Sequence, residues 1–455
     1  MKIKTEYNQK FNHEETVAVI SLYPKKGEVY SVGASGVASY TKNVVSKLKH
    51  PVLVLADIWQ QATSSKKQTD NEQQYQEDNS LVLRVWQRGQ AAMWLQILKV
   101  LTQFNQIKTL LIHFDFSMYD GIFTSALILP FLAITRILGF KQVVVCHHVI
   151  KDVQKLSGQV GLGQGFKDTI KAFIYNLIFK CFYWLLGKVA AKVVVLEEPL
   201  KQRLVEIIPE HKISVIPHAV DTQLEKSTKK EARQRLGYRQ DESVVMFFGY
   251  VNWFKGADFF AQAVKDINKL NGKKTRFVMA GGESPTLKNK HYYQQFFQQV
   301  VSTVNQGQSL ELTGYVPQEK IADYFAAADL VVFPYREFMC ASGVMSLVFS
   351  YQKPFIISDH LNSMLKAPDL SQALQETELQ SMDLRFLMNK RSLLEVMEKV
   401  LQNGIKAKMR KMAGIIRAQR SFAATTDNYE FVLQPARPTS QVSIDEGKLA
   451  YEVEK

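Results

Sequence analysis

The sequence is poor in cysteine: Cys146, Cys181 and Cys340 are the three in 455 residues. They form neither an even disulfide set nor a metal-ligand spacing. That excludes a disulfide scaffold and a zinc module, and it points to a reducing compartment. The apolar stretches Ile122 to Phe140 and Gly165 to Lys192 are both interrupted, by Pro130 and Arg136 in one and by Asn176 and Lys180 in the other. A membrane span needs about 20 apolar residues in a row, so neither is expected to cross a bilayer. The stretch Met1 to Leu22 is charged and lacks a signal-peptide core, so a cytoplasmic protein is expected. Zinc-finger spacing and an aromatic RNA-binding signature are missing, which argues against nucleic acid. The net charge of +14 then suits anionic small ligands or an anionic membrane surface. No Asp-x-Asp motif occurs, so the sequence requires no bound metal. Internal repeats and heptads are also missing.

What is present is an ordinary globular mixture, 46% hydrophobic and 22% charged, long enough for two to three domains. The most informative run is Asp329 to Asp359. Leu330 to Phe333 reads as a buried strand stopped by Pro334. A polar loop with Glu337 follows, then Ser342-Gly343 before the helical pattern Val344 to Tyr351. Lys353-Pro354 ends that helix, and Phe355 to Ile357 reads as the next strand. Ser is a good N-cap and Gly admits a ligand close to the backbone. Free N–H groups and the helix dipole make this start a phosphate site.

Strand and helix patterns alternate along the rest of the chain. Strands are predicted at Thr16 to Leu22, Pro51 to Ala56, Leu81 to Trp86, Thr109 to His113 and Gln142 to Cys146. A loop with Gly33 and Gly36 precedes a helix over Val37 to Leu48. Gln60 to Ser80 reads as an exposed loop. Ile122 to Phe140 reads as a buried helix. His147-His148 stands at a strand's carboxyl end, where ligands gather in open α/β sheets. Gly165 to Lys192 mixes aromatics, including Phe173, Phe182 and Trp184, with five lysines. It fits either an amphipathic helix on an anionic membrane or a helix packed on a sheet. The charged stretch Leu224 to Arg239 reads as an interdomain linker. Beyond it the rhythm restarts: strand Val244 to Phe248, loop Gly249 to Gly256 with Lys255, strand Arg276 to Ala280 into Gly281-Gly282, and strand Leu310 to Thr313 into Gly314-Tyr315. Leu393 to Arg420 is helical, Asp427 to Leu433 suits one more helix, and the tail from about Pro435 is polar. Two doubly wound parallel sheets follow.

ISVIPHAVDT, FFGYVNWFKGADFFAQAV, VMAGGESP and LTGYVPQEKIADYFAAADLVVFPYREF, in that order, resemble the motifs of family 4 retaining glycosyltransferases of the GT-B fold. SGVASYT and VVCHHVI resemble the corresponding loops of the first domain. The resemblance covers nearly the whole chain and is strongest from Lys212 to Asp359. It implies an α/β GT-B architecture, two Rossmann-like domains facing a central cleft. Residues 1–220 would be the acceptor-side domain, 221–415 the donor domain, and 416–455 a helix returning to the first domain plus a loose tail.

The implied chemistry is transfer of a sugar from a UDP- or GDP-linked donor to a hydroxyl of a glycan or lipid-linked glycan, with retention and without metal. Lys255 would neutralise the diphosphate, and Ser342, Gly343 and Val344 would offer it N–H groups. Glu337 would hold sugar hydroxyls, and His147 would meet the sugar across the cleft. His148 is the secondary candidate, since the motif carries one histidine there. Gly36 and Gly249 would approach the phosphates, and Gly314, Tyr315 and Val316 would border the base. The chain departs from the family pattern at Ala219 for glycine, at Tyr250 for arginine in the glycine loop, and at Met345 for a second glutamate. The last two motivate an alternative, a catalytically silent GT-B subunit that stabilises an active partner. A nicotinamide oxidoreductase is disfavoured, because Gly33 and Gly36 do not make the dinucleotide fingerprint.

Overall fold

The computed structural model describes residues 3–29, 36–59, 73–163 and 165–434. Gly33, most of the Gln60 to Ser80 segment and the tail from Pro435 lie outside these residues.

The central apolar runs become strands buried along most of their length, as helices on both faces of a parallel sheet require, while the edge strands are partly exposed. In the first lobe these are β1 (Val17–Ser21), β2 (Val52–Asp57), β3 (Gln74–Glu77), β4 (Ser80–Trp86), β5 (Thr109–Phe114), β6 (Lys141–Cys146), β7 (Lys192–Val195) and β8 (Ile213–Val215). Their order is β3-β4-β2-β1-β5-β6-β7-β8. All neighbours are parallel except β3 and β4, which form an antiparallel hairpin. The second lobe holds β9 (Ser243–Phe248), β10 (Lys269–Leu270), β11 (Lys273–Ala280), β12 (Leu310–Leu312), β13 (Leu330–Phe333), β14 (Phe355–Ser358) and β15 (Arg385–Phe386). The order is β10-β11-β9-β13-β14-β15, with β12 also on β11.

In each sheet the winding reverses beside one strand. β1 lies between β2 and β5, and β9 lies between β11 and β13. Such switch points open a crevice at the strands' carboxyl ends, the preferred ligand position in open α/β sheets. After the second sheet the chain returns. Val220 and Ser421 pair as a parallel bridge, and helix Phe422–Leu433 packs on the first lobe, its Tyr429 hydroxyl 2.9 Å from that of Tyr40.

Several expectations change. The described part of Gln60 to Ser80 is not exposed loop, because it holds β3 with Gln74 and Tyr75 buried, and Leu393 to Arg420 falls into two helices, Lys390–Val400 and Asn403–Gln419. The charged segment Leu224 to Arg239 is no loose linker. Thr228 caps a helix, Lys229–Leu236, and its fully buried Arg233 reaches Asp329 Oδ2 at 2.8 Å. Burial of one arginine paired to a carboxylate turned a charged stretch into lobe structure. Ile122 to Phe140 is not one buried helix. It forms Ile122–Ala126 and Ile128–Ile137, and Phe123 and Ile137 are 72% and 85% exposed. Helix Phe166–Val189 has one packed face and one bare one. Phe179, Phe182, Tyr183 and Leu186 are buried, while Phe166, Phe173, Leu177 and Trp184 are exposed. Phe182 therefore leaves the outer face: it stacks on Phe114, ring centroids 5.2 Å apart.

Candidate functional site

The second lobe builds its half of the site from backbones that touch. The β9 loop ends at Gly256, φ +66°, where a β-carbon would fall 1.8 Å from the Pro334 carbonyl oxygen. Only glycine lets the loops after β9 and β13 meet there. The loop after β11 repeats the device: a β-carbon on Gly281 would lie 2.0 Å from the Gly249 oxygen. Lys255 is thereby drawn over the β9 loop. Its Nζ would stand 2.9 Å from a β-carbon on Gly249, and Val344 Cγ2 3.3 Å from the same point. Burial pushes the Lys255 pKa below the ordinary lysine value, with the nearby Cys340 acting the other way.

Helix Gly343–Ser350 begins at this spot. Ser342 caps it, Oγ accepting the Met345 N–H at 3.2 Å. The N–H groups of Gly343 and Val344 have no intrahelical acceptor, and both residues line an interlobe cavity of about 570 Å³. Gly36, His147, Gly249, Tyr250, Lys255, Tyr315, Val316 and Ser342 line it as well. Gly314 stands behind the wall, its carbonyl carbon 3.0 Å from a β-carbon placed on Gly282. Glu337 does not line this cavity. Its Oε1 accepts from Arg203 Nη2 of the first lobe at 2.5 Å, and it lines a neighbouring cavity of about 350 Å³.

The first lobe contributes a cluster of histidines at the ends of β5 and β6. His147 Nε2 lies 2.9 Å from His113 Nδ1, and burial followed by repulsion from His113 holds the His147 pKa well below the imidazole value. It is a neutral ring. His148 is the opposite. Burial disfavours its charge, but Asp115, at 2.8 Å from Nδ1, outweighs it, and the pKa lies well above the ordinary value. Burial likewise works against the Asp115 carboxylate, yet His148 and the Ser117 N–H hold its pKa well below the usual range. His148 also pairs its backbone with Cys340 of the second lobe. The cleft thus presents Lys255, and His148 already paired to Asp115, beside the helix-start amides. Such a set can bind a diphosphate and stabilise charge building on it. Among the described residues no group of three His, Cys, Asp or Glu could hold a metal ion.

Sequence reasoning passed over Asp115, Tyr40, His218 and Phe422, all of which line the cleft. Asp115 had a signal, a lone carboxylate one residue past a strand. Tyr40 lies within the SGVASYT motif, and Phe422 had no signal, because it reaches the site only through the returning helix.

Two parallel-sheet lobes closing on a cleft with a phosphate-type helix start define the GT-B class of sugar-transferring enzymes. Residues 242–371 match the family model described as "Glycosyl transferases group 1", and they lie in the second lobe of this fold. No curated protein matches the sequence. Similar solved structures include a sucrose-phosphate synthase from Thermosynechococcus elongatus, 14% identical with TM-score 0.62, covering 92% of this chain and 98% of that one. Anabaena Alr3699/HepE in complex with UDP-glucose is 15% identical with TM-score 0.58, over 92% and 99%. WaaG, a glycosyltransferase involved in lipopolysaccharide biosynthesis, is 12% identical with TM-score 0.58, over 92% and 99%.

Proposed function

We propose that this chain transfers a sugar from a nucleoside-diphosphate sugar to a hydroxyl of a glycan or lipid-linked glycan, with retention and without metal. The carrying observation is the placement of Lys255 Nζ beside Val344 at the start of helix Gly343–Ser350. In this reading Lys255 and the amides of Gly343 and Val344 take up the charge of the departing diphosphate. Gly36 approaches it from the first lobe, Tyr315 and Val316 border the base, and His147 holds the sugar; Glu337, turned to Arg203 in the neighbouring cavity, does not reach it. A UDP-linked donor is favoured by the UDP-glucose complex of the HepE neighbour; GDP is the other candidate base. The exposed aromatic and lysine residues of helix Phe166–Val189 favour a peripheral position on the cytoplasmic membrane face.

The silent-subunit reading has one observation of its own. Met345, where the family pattern places a glutamate, is buried, so it offers nothing to a ribose. A thermal-shift screen with UDP, GDP and their glucose and mannose conjugates separates the two, since a ligand that binds the folded state raises its stability. Stabilisation by a nucleotide sugar followed by its turnover is expected. Binding without turnover, with activity appearing only on addition of a partner glycosyltransferase, would favour the silent subunit.

A further inference from the structure

Two imidazoles stand on the first-lobe wall of the large cleft with their protons already placed. His147 and His218 both line it, and both lean on the ring of Tyr40, with centroids 5.6 Å and 4.9 Å away. Tyr40 is itself held from behind by the Tyr429 hydroxyl. The His147 backbone N–H bonds the Phe114 carbonyl at 3.0 Å, and that of His218 bonds the Leu196 carbonyl at 2.9 Å. Burial holds both imidazoles, and that of His113 with them, below the ordinary histidine value. Each is a neutral ring with one N–H and one bare nitrogen.

Hydrogen bonds decide which nitrogen is which. His218 Nδ1 lies 2.9 Å from the Ala219 carbonyl oxygen. A carbonyl only accepts, so Nδ1 carries the proton and Nε2 is a bare acceptor. Ser346 Oγ of the second lobe donates to the same oxygen at 2.8 Å, which pins that carbonyl. His147 Nε2 lies 2.9 Å from His113 Nδ1, so one of these two nitrogens is protonated. His113 is fully buried, and its Nε2 has no partner among the described residues. Were His147 the donor, His113 would carry its own proton on Nε2, a buried N–H with nothing to accept it, which folded proteins avoid. His113 therefore donates through Nδ1 and His147 Nε2 accepts. The His147 proton sits on Nδ1, which has no protein partner among the described residues.

We propose that His113 is a positioning residue that makes His147 a hydrogen-bond donor toward the cleft, and that His218 is a substrate-binding residue offering the matching acceptor. Together they read hydroxyls of the donor sugar: one hydroxyl oxygen accepts from His147 Nδ1, and one hydroxyl proton is given to His218 Nε2. The assignment rests on the large cleft being the donor site, and adds His113 and His218 to it. Fixed neutral tautomers matter here because a cationic ring donates from both nitrogens, and a swapped tautomer meets the hydroxyls with the wrong polarity.

The test has two arms. NMR of protein carrying isotopically labelled histidine, with rings assigned through His147→Gln and His218→Gln, reads the tautomers directly. Both rings are expected to be protonated at Nδ1 in wild type. Isothermal titration of wild type, His113→Leu, His113→Asn and His218→Phe with UDP, GDP and their glucose and mannose conjugates reads the consequence. One nucleotide sugar is expected to bind wild type more tightly than its own nucleotide. His113→Leu and His218→Phe should shrink that preference about fivefold or more, whereas His113→Asn, whose amide N–H still donates to His147, should keep it. Unchanged nucleotide affinity shows that the variants are folded, and a merely structural His113 would leave the preference untouched. The proposal is overturned if either ring carries its proton on Nε2, if no nucleotide sugar is preferred, if either His113→Leu or His218→Phe leaves the preference intact, or if His113→Asn loses as much as His113→Leu. Should His113→Leu fail to fold, the wild-type tautomers and His218→Phe decide. Failure of wild type to bind either nucleotide would overturn the donor reading itself, and this assignment with it.

Discussion

Lys255 is the residue on which the proposed donor role of the cleft turns. Lys255→Ala should lower turnover by roughly a hundredfold, the usual loss on removing one charge-stabilising group, and steady-state rates with a UDP-sugar check it. Burial holds its pKa below the ordinary lysine value, so the free protein loses this cation earlier than an exposed lysine would as pH rises. Nucleotide affinity should fall through that lowered value, and Lys255→Arg, whose charge does not titrate, should flatten the alkaline limb. The histidine cluster works at the other end of the scale. Burial drives His113 to about 3 and His218 to about 4, against about 6.5 in an unfolded chain. Between those values the unfolded chain binds more protons, so stability should drop as pH falls from about 6.5 toward 4. His148, with its pKa raised, contributes the reverse: stability present below about 6.5 and lost as pH climbs through its folded value. Thermal melts across that window check the balance, and His113→Gln should remove part of the acid slope.

At the scale of elements, the loops and one helix carry the testable claims. Gly256→Ala forces a side chain into φ +66° and against the Pro334 carbonyl. It should cost more than about 2 kcal/mol by chemical denaturation, and a smaller change would mean that the β9 and β13 loops part without difficulty. Helix Phe166–Val189 should bind anionic vesicles through Phe173, Leu177 and Trp184. Replacing all three by serine is expected to abolish cosedimentation, whereas Phe182, stacked on Phe114, should instead affect stability when replaced. Vesicle binding that survives the triple substitution removes the membrane role of this helix.

The whole molecule is tied together where the chain crosses between lobes for the second time. Arg420 is buried and bonds Glu197 of the first lobe at 2.7 Å and Asp369 of the second at 2.5 Å. Arg420→Ala leaves two carboxylates without their cation and should destabilise by about 3–5 kcal/mol, measured by denaturant unfolding. Much of this architecture was written in local pattern. The apolar runs at β1, β9 and β13 and the Ser342-Gly343 cap needed only the periodicity and turn chemistry of neighbouring residues, so strands, helix starts and the loop holding Lys255 could be read directly. Contacts between distant segments could not. The Arg203–Glu337 bond spans 134 positions and the Tyr40–Tyr429 pair 389, and no short-range pattern encodes either. Burial decided the rest. It lowered the His147 pKa while Asp115 overrode it at His148, drew Arg233 inside a stretch that reads as solvent-exposed, and sorted the aromatic residues of one helix into a packed face and a bare one. Sequence alone determined which groups could meet a diphosphate, because backbone geometry near a glycine or a cap is a local property. Tertiary structure decided which groups face a cavity and in what charge state, because desolvation and partner distance exist only once both lobes are folded.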